Sequence, residues 1–145
     1  MVSLALYQPD IPQNAGSMLR LGACLGVDIH LVEPAGFDLS DPALKRAGMD
    51  YLGHVVLTRH RSWGDFEAMR RQAGRRLVLL TTRGDSPYTD VAYGADDILM
   101  VGRESSGVPD HVHAAAALRV VIPMAAGLRS INVATAAAMV LGEAL

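Results

Sequence analysis

The chain has 145 residues, which is enough for one domain with a buried core but too short for two domains of ordinary size. Half of the residues are hydrophobic and 19% are charged, a composition that excludes a disordered chain. The formal net charge of -2 gives no global basic character, so RNA binding would need a local patch or one formed across a dimer. We predict a single domain covering residues 1–145.

The sequence carries no signal for a membrane or for export. No apolar run approaches the roughly 20 residues that a spanning helix needs, and the N-terminus lacks the features of a signal peptide. We therefore expect a cytoplasmic protein without a membrane partner. The one cysteine, Cys24, lies in a helical pattern and is expected to be a small buried side chain. Because the last predicted helix is unfinished at Leu145, the natural chain is expected to extend beyond it.

Strand-forming segments alternate with helical patterns through the first half of the chain. Each segment is bounded by glycine, by proline or by a residue that can cap a helix. The predicted elements are a strand at residues 2–7, a helix capped by Asn14 that runs to about Cys24 and stops at Gly26, a strand at 28–32, a short helix begun by Ser40, Asp41 and Pro42 and ended by Gly48, and a strand at 54–57.

The second half continues the alternation. Ser62 with Asp65 three residues later predicts a helix with Phe66 and Met69 facing inward and an end near Gly74. The predicted elements that follow are strands at residues 77–81 and 98–101, a helix opened by Pro109, a strand at 120–124 and a last helix from about Asn132. The runs 77–81 and 98–101 are apolar throughout, as in central strands covered on both faces. The pattern predicts an open, mostly parallel α/β sheet with helices on both faces.

The loops that follow four of the predicted strands hold most of the glycine, proline and small polar residues. In parallel α/β sheets, ligands bind beyond the carboxyl ends of the strands, so these loops predict the site. The chain contains none of the glycine-rich dinucleotide or triphosphate fingerprints, no zinc-ligand spacing and no nucleophile elbow. We therefore expect a cofactor site built from backbone and apolar groups, with no metal.

Three of the loop segments share a pattern with one family. Asn14, Gly16 and Arg20 form an Asn-x-Gly-x-x-x-Arg motif, and residues 102–107 form a Gly-x-Glu-x-x-Gly loop. The third segment is Ile-Pro-Met at residues 122–124, followed by Ser-x-Asn at 130–132. These motifs resemble the SpoU branch of the SPOUT superfamily, the knotted RNA methyltransferases that use S-adenosylmethionine.

The resemblance extends over nearly the whole chain to the small, single-domain TrmL-type enzymes. Segments at residues 5–16, 33–37, 45–51, 58–60 and 79–84 carry it. It implies methylation of the ribose 2′-oxygen of the wobble nucleotide, cytidine or modified uridine at position 34, in leucine tRNAs. The alternatives are a SPOUT enzyme acting on another tRNA or ribosomal RNA position, and an inactive knotted RNA-binding protein. Arg103, where relatives often have proline, and Gly142, where they often have an aromatic residue, depart from the family pattern.

The resemblance also implies the roles of the site residues. Catalysis is expected from Arg20, Ser130 and Asn132, while Asn14 and Glu104 position Arg20 and the loop on the RNA side. S-adenosylmethionine, which becomes S-adenosylhomocysteine, is expected to bind at Leu80, Thr81, Gly102, Ile122, Met124 and Ser130. A guanidinium stays protonated in proteins, so for Arg20 we favour anchoring a phosphate and stabilising alkoxide charge over the role of a base.

The family fold implies a deep trefoil knot at the C-terminus and a homodimer through the first and last helices. The small residues 134–138 suit close packing in such a knot, and we expect bulky side chains at Ala134 or Ala137 to disrupt folding or dimerisation. The candidate phosphate contacts for tRNA are the basic segments Lys45-Arg46 and Arg59-His60-Arg61.

Overall fold

A seven-stranded sheet forms the centre of the computed structural model, and its strand pairings are parallel. The structure describes the backbone throughout and every side chain except those of residues 48–50 and 52, so part of the segment 45–51 lies outside the described residues. The strands are β1 Ser3–Tyr7, β2 Ile29–Val32, β3 Leu57–His60, β4 Leu77–Leu80, β5 Ser86–Pro87, β6 Ile98–Val101 and β7 Leu118–Val121. Their order across the sheet is β3-β2-β1-β6-β4-β7-β5.

Helices cover both faces of the sheet, as the alternation predicted. They are α1 Pro12–Leu25, α2 Pro42–Gly48, α3 Trp63–Gln72, α4 Asp110–Ala115 and α5 Val133–Ala144, with a short 3-10 helix at Met49–His54. One core lies under α1, α2 and α5 and contains Met18, Leu44 and Leu141. The second core contains Phe66 of α3 and Val112 of α4, and both side chains are fully buried.

The predicted central strands are confirmed. β6 is buried along its whole length, and β4 is buried over its first three residues. Both lie inside the sheet, where β6 pairs with β1 and β4. Burial on both faces explains why these segments are uninterrupted apolar runs.

Two predicted strands were placed wrongly. Residues 54–57 were expected to be a strand, but His54 ends the 3-10 helix and β3 begins only at Leu57. The predicted strand 120–124 begins earlier, as β7 at Leu118, and ends at Val121. The pairing between β4 and β7 explains the second error, because Leu80 of β4 lies opposite Val120 and the ladder ends where β4 ends. Residues 122–124 therefore leave the sheet and enter the loop beyond it.

The start of α1 differs from the prediction, and its end agrees with it. The helix begins at Pro12 with Ile11 in the cap position, so Asn14 lies inside the first turn and does not cap the helix. Proline is favoured at this position because its missing N–H would have no partner there. Gly26 ends the helix in the left-handed region at φ 67°, as expected. Cys24 is exposed, which corrects the expectation that it is buried.

The predicted starts of α3 and α5 are confirmed, and a side chain caps each of them. The Ser62 hydroxyl accepts a hydrogen bond from the Asp65 N–H at 3.1 Å. The Asn132 side-chain oxygen accepts from the N–H groups of Ala134 and Thr135, at 2.9 and 3.1 Å. In the last helix, Ala137 is 1% exposed and packs in the core, which explains the small side chain there. Within the described residues, no helix has the length and apolar character needed to cross a membrane.

Two histidines meet in the second core. His30 of β2 and His60 of β3 are both buried, and their ring nitrogens Nδ1 and Nε2 lie 3.0 Å apart. The Phe66 ring stands edge-on to both imidazoles. Burial, followed by the neighbouring charge of His60, lowers the pKa of His30 to about 4. The pair is therefore neutral in the folded protein at pH 7.

We predict that acid destabilises the fold through this pair. The unfolded chain takes up a proton on His30 near pH 6.5 and the folded chain only near 4, so the free energy of unfolding falls by about 2 kcal/mol as the pH drops through this window. Urea denaturation at a series of pH values measures the effect. His30→Leu should flatten the curve, whereas the exposed control His111→Gln should retain it. Equal slopes in wild type and His30→Leu would contradict the prediction.

Candidate functional site

A cavity of about 800 Å³ lies at the carboxyl edge of the sheet. Its volume is typical of a small-molecule site. Four segments build it: the start of α1, the end of β4, the loop after β6 and the chain that joins β7 to α5. These segments belong to the loops after the predicted strands, where the sequence predicted the site.

The cavity brings together almost all of the predicted site residues. Those that line it are Leu80, Thr81, Gly102, Ile122, Met124, Ser130, Asn14, Glu104 and Asn132. Arg20 is the exception. It is exposed on α1 and its guanidinium carbon lies 4.9 Å from the centroid of the Tyr51 ring, away from the cavity lining. Asn14 and Arg20 are six residues apart, which places them on different faces of the helix, about 9 Å apart along its axis.

A chain of hydrogen bonds joins the three motif segments. The Asn132 amide donates to the side-chain oxygen of Asn14 at 2.9 Å. The Asn14 amide in turn donates to Glu104 Oε1 at 3.4 Å. Because Asn14 is not needed as a helix cap, both ends of its amide are available for these contacts. The segments that approach from α1, β6 and β7 are thus held in one arrangement by three side chains.

Asp10 is a site residue that the sequence interpretation missed. Its N–H donates to Glu104 Oε2 at 3.1 Å, and the Glu104 N–H donates to Asp10 Oδ1 at 3.2 Å. The Ser105 hydroxyl also donates to the Asp10 carboxylate, and Arg103 Nη2 lies 3.6 Å from it. The only signal in the sequence was the position of Asp10 in the loop after β1, between two prolines. Nothing in the sequence showed that this loop faces residues 103–105.

The two carboxyl groups have opposite electrostatic environments. Burial, together with the bonding to Asp10, raises the pKa of Glu104. Hydrogen bonds with Glu104 and Ser105 lower the pKa of Asp10 to about 2. Two carboxylates this close resist carrying two charges, so Asp10 ionises first and Glu104 is the group that holds a proton more readily.

Gly102 opens a loop in which two stretches of backbone touch. Arg103 and Gly107 exchange two backbone hydrogen bonds of 2.9 and 2.8 Å, and Gly107 has a φ of 66°. A Cβ atom on Gly102 would lie 2.7 Å from the backbone carbon of Gly107, closer than real contacts allow. Glycine at position 102 is therefore a steric requirement of the loop, which forms one wall of the cavity.

The candidate RNA contacts outside the cavity are only partly available. His60 is buried against His30, so its predicted role as a surface contact is wrong. Arg59 Nε donates to Glu33 Oε1 at 2.6 Å and is already paired. The Arg61 side chain is 91% exposed and lies 3.6 Å from Asp65. Lys45 and Arg46 are exposed at the end of α2.

The parallel sheet and the cavity at its carboxyl edge define a ligand-binding protein of the α/β class. The profile of the SpoU rRNA Methylase family matches residues 1–142, and this chain belongs to that family. A tRNA (cytidine(34)-2'-O)-methyltransferase of Beijerinckia indica is 63% identical over 98% of this chain and 89% of its own length. The protein of the same name from Escherichia coli K12 is 38% identical over 99% of this chain and 92% of its own.

Solved structures agree with the sequence comparisons. One described as "Structural insights into the 2-OH methylation of C/U34 on tRNA" superposes with a TM-score of 0.94 and 42% identity, covering 99% of this chain and 93% of the other. The SpoU methyltransferase AviRb from Streptomyces viridochromogenes in complex with AdoMet has a TM-score of 0.86 and 29% identity. That match covers 99% of this chain and 56% of the other.

We predict that Gly102→Ala damages the cavity. The added methyl group must displace the backbone of Gly107, which should cost about 1–3 kcal/mol of stability and distort the wall. Calorimetric titration with S-adenosylhomocysteine should show at least a tenfold loss of affinity. The matched control is Gly64→Ala, where the nearest atom to a Cβ is at 3.7 Å. Wild-type affinity in Gly102→Ala would show that the loop tolerates the methyl group.

Proposed function

We propose that this protein transfers a methyl group from S-adenosylmethionine to the ribose 2′-oxygen of nucleotide 34 of tRNA, a cytidine or a modified uridine in leucine tRNAs. The observation that carries the proposal is the meeting of the three motif segments through Asn132, Asn14 and Glu104 at one cavity. The relatives named for this activity match along nearly their whole length. Since tRNA is the substrate, the cytoplasm is the expected location.

The alternative substrate is another position of tRNA or ribosomal RNA. A structure described as an rRNA methyltransferase from Sinorhizobium meliloti is 28% identical with a TM-score of 0.90, but this chain covers only 55% of it. The wobble-type relatives are covered to about nine-tenths of their length. The higher identity of the wobble-type relative from Beijerinckia indica, 63% against 28%, favours the tRNA wobble position.

The cavity fits the proposed cofactor. Leu80, Ile122 and Met124 give apolar walls for an adenine and for the thioether part of the molecule, and the close backbone at Gly102 supplies main-chain polar groups. Residues Thr81 and Ser130 add hydroxyl groups to the lining. When bound, S-adenosylmethionine supplies a methyl group activated by its sulfonium, so the protein needs neither a covalent intermediate nor a metal for this transfer.

The residues of this chain would then orient the acceptor and compensate charge. Ser130 and Asn132 lie at the N-terminus of α5, where two hydrogen bonds from backbone N–H groups fix the Asn132 side chain. Arg20 would anchor a phosphate next to the acceptor and stabilise the charge that develops on the 2′-oxygen. Since Arg20 lies outside the cavity lining, the acceptor nucleotide must extend from the cavity to the face of α1 that carries it.

We also infer the C-terminal knot from the sheet order. β7 lies between β4 and β5, although only residues 81–85 connect those two strands. This connection wraps around β7: the Thr81 N–H donates to Val120 at 3.0 Å, and the Tyr88 N–H donates to Val121 at 2.9 Å. A Cβ on Gly84 would meet the Val120 backbone at 2.5 Å. β7 thus passes under the tight connection of residues 81–85, and the chain then continues into α5. This arrangement supports a chain that is threaded through a loop, as in a knot.

The face for a homodimer is proposed on α1 and α5, which pack side by side. Apolar side chains remain exposed there: Leu25 is 45% exposed and Met139 is 38% exposed. Cys24 and Gly142 are exposed on the same helices. Lys45, Arg46 and Arg61 remain candidate phosphate contacts for tRNA outside this face.

We predict that Arg20→Ala abolishes methyl transfer, with a loss of more than about a hundredfold, because alkoxide stabilisation is lost. Transfer from labelled S-adenosylmethionine into total tRNA, followed by mapping of the modified nucleotide, measures it. Affinity for S-adenosylhomocysteine should be unchanged, since Arg20 does not line the cavity. Arg71→Ala is the control, because that exposed arginine lies on α3. Normal turnover by Arg20→Ala would contradict the role proposed for Arg20. Label at another nucleotide would contradict the proposed substrate position.

We predict that Met139→Glu converts a dimer into a monomer, because it buries a charge in an apolar interface. Sedimentation velocity at micromolar concentration measures the mass. Val56→Glu, at an apolar side chain 60% exposed near β3, is the matched control and should remain dimeric. A monomeric mass for the wild-type protein would overturn the dimer.

A further inference from the structure

Tyr51 contacts the one predicted catalytic residue that lies outside the cavity lining. It belongs to the 3-10 helix Met49–His54, which packs on α1 directly after α2. The guanidinium carbon of Arg20 lies 4.9 Å from the centroid of its ring. This distance is within the range of a cation–π contact, which extends to about 6 Å.

The contact restricts an exposed side chain. Arg20 is exposed, and an exposed arginine side chain samples many rotamers. Holding it in one geometry therefore costs conformational entropy. Contact with an aromatic face does not use up the guanidinium N–H groups, which can still donate on the side away from the ring. That arrangement leaves the edge of Arg20 available for bidentate contact with a phosphate.

We propose that Tyr51 is a positioning residue for methyl transfer: its ring face holds the Arg20 guanidinium with its donor edge toward the RNA backbone. The proposal rests on the role given above to Arg20. Tyr51 would touch neither the cofactor nor the reacting oxygen and would act through Arg20 alone.

The chemistry of the ring separates this role from ordinary packing. The ring face attracts a cation through its quadrupole, which phenylalanine shares with tyrosine and leucine lacks. The hydroxyl group makes no hydrogen bond to any side chain that the structure describes, so its removal should be tolerated. Leucine has enough apolar bulk to fill much of the same space. Comparison of Phe and Leu at position 51 therefore isolates the aromatic face.

The experiment compares Tyr51→Phe, Tyr51→Leu and the control His54→Leu, which changes an exposed ring on the same 3-10 helix. Labelled methyl transfer into total tRNA gives kcat and KM, and calorimetry gives the affinity for S-adenosylhomocysteine. Proton NMR of the Arg20 δ-methylene group reports the ring current of Tyr51 directly. Thermal melting confirms that each variant is folded.

Tyr51→Leu should lower kcat roughly 3- to 30-fold, abolish the ring-current shift of Arg20 and leave cofactor affinity unchanged. Tyr51→Phe should retain the shift and most of the turnover, as His54→Leu should. Turnover of Tyr51→Leu within twofold of wild type, or an equal loss in Tyr51→Phe, would overturn the proposal. Absence of any transfer by the wild-type enzyme would instead overturn the proposed function, and this inference with it.

Discussion

The position of β7 between β4 and β5 is the constraint on which the rest of the structure depends. Both neighbours of β7 belong to one stretch of chain, so the strand can be placed only if the turn at Gly84 passes directly over the Val120 backbone. That placement sends residues 122–132 out beyond the carboxyl edge of the sheet. The same residues form one side of the cavity, so the topology of the sheet and the shape of the site are set together.

The site is held by polar contacts between segments that are far apart in sequence. Asn132 and Asn14 are 118 positions apart, and Asp10 and Glu104 are 94 positions apart. These side chains are only partly buried, so each hydrogen bond contributes modestly to stability, about 1 kcal/mol. Their main effect is geometric, because they fix the positions of the loops relative to one another. The apolar cores under α1 and α3 supply the frame on which those loops are placed.

Much of the fold and many of the site residues could be predicted from the sequence. The apolar runs at residues 77–81 and 98–101, and the helix starts near Ser62 and Asn132, have local causes and were located correctly. The bounds of the third strand could not be predicted. They depend on the pairing of β3 with β2, in which His60 lies opposite Val32, and these segments are far apart in sequence. Asn14 is a residue type that often caps helices, but Pro12 marks the actual start of α1. Asp10 and the distance of Arg20 from the cavity depend on how loops meet, which periodicity does not encode.

Asn132 has two functions in one amide group, and this links the two ends of the chain. Its oxygen holds the first turn of α5, and its nitrogen holds Asn14 in the first turn of α1. An amide can satisfy both only in one orientation, so a carboxylate at this position could replace the oxygen but not the donor. Ordering of the N-terminal motif and formation of the C-terminal helix therefore share a single rotamer. A ligand that steadies the first motif should, by thermodynamic linkage, reduce fraying of the last helix.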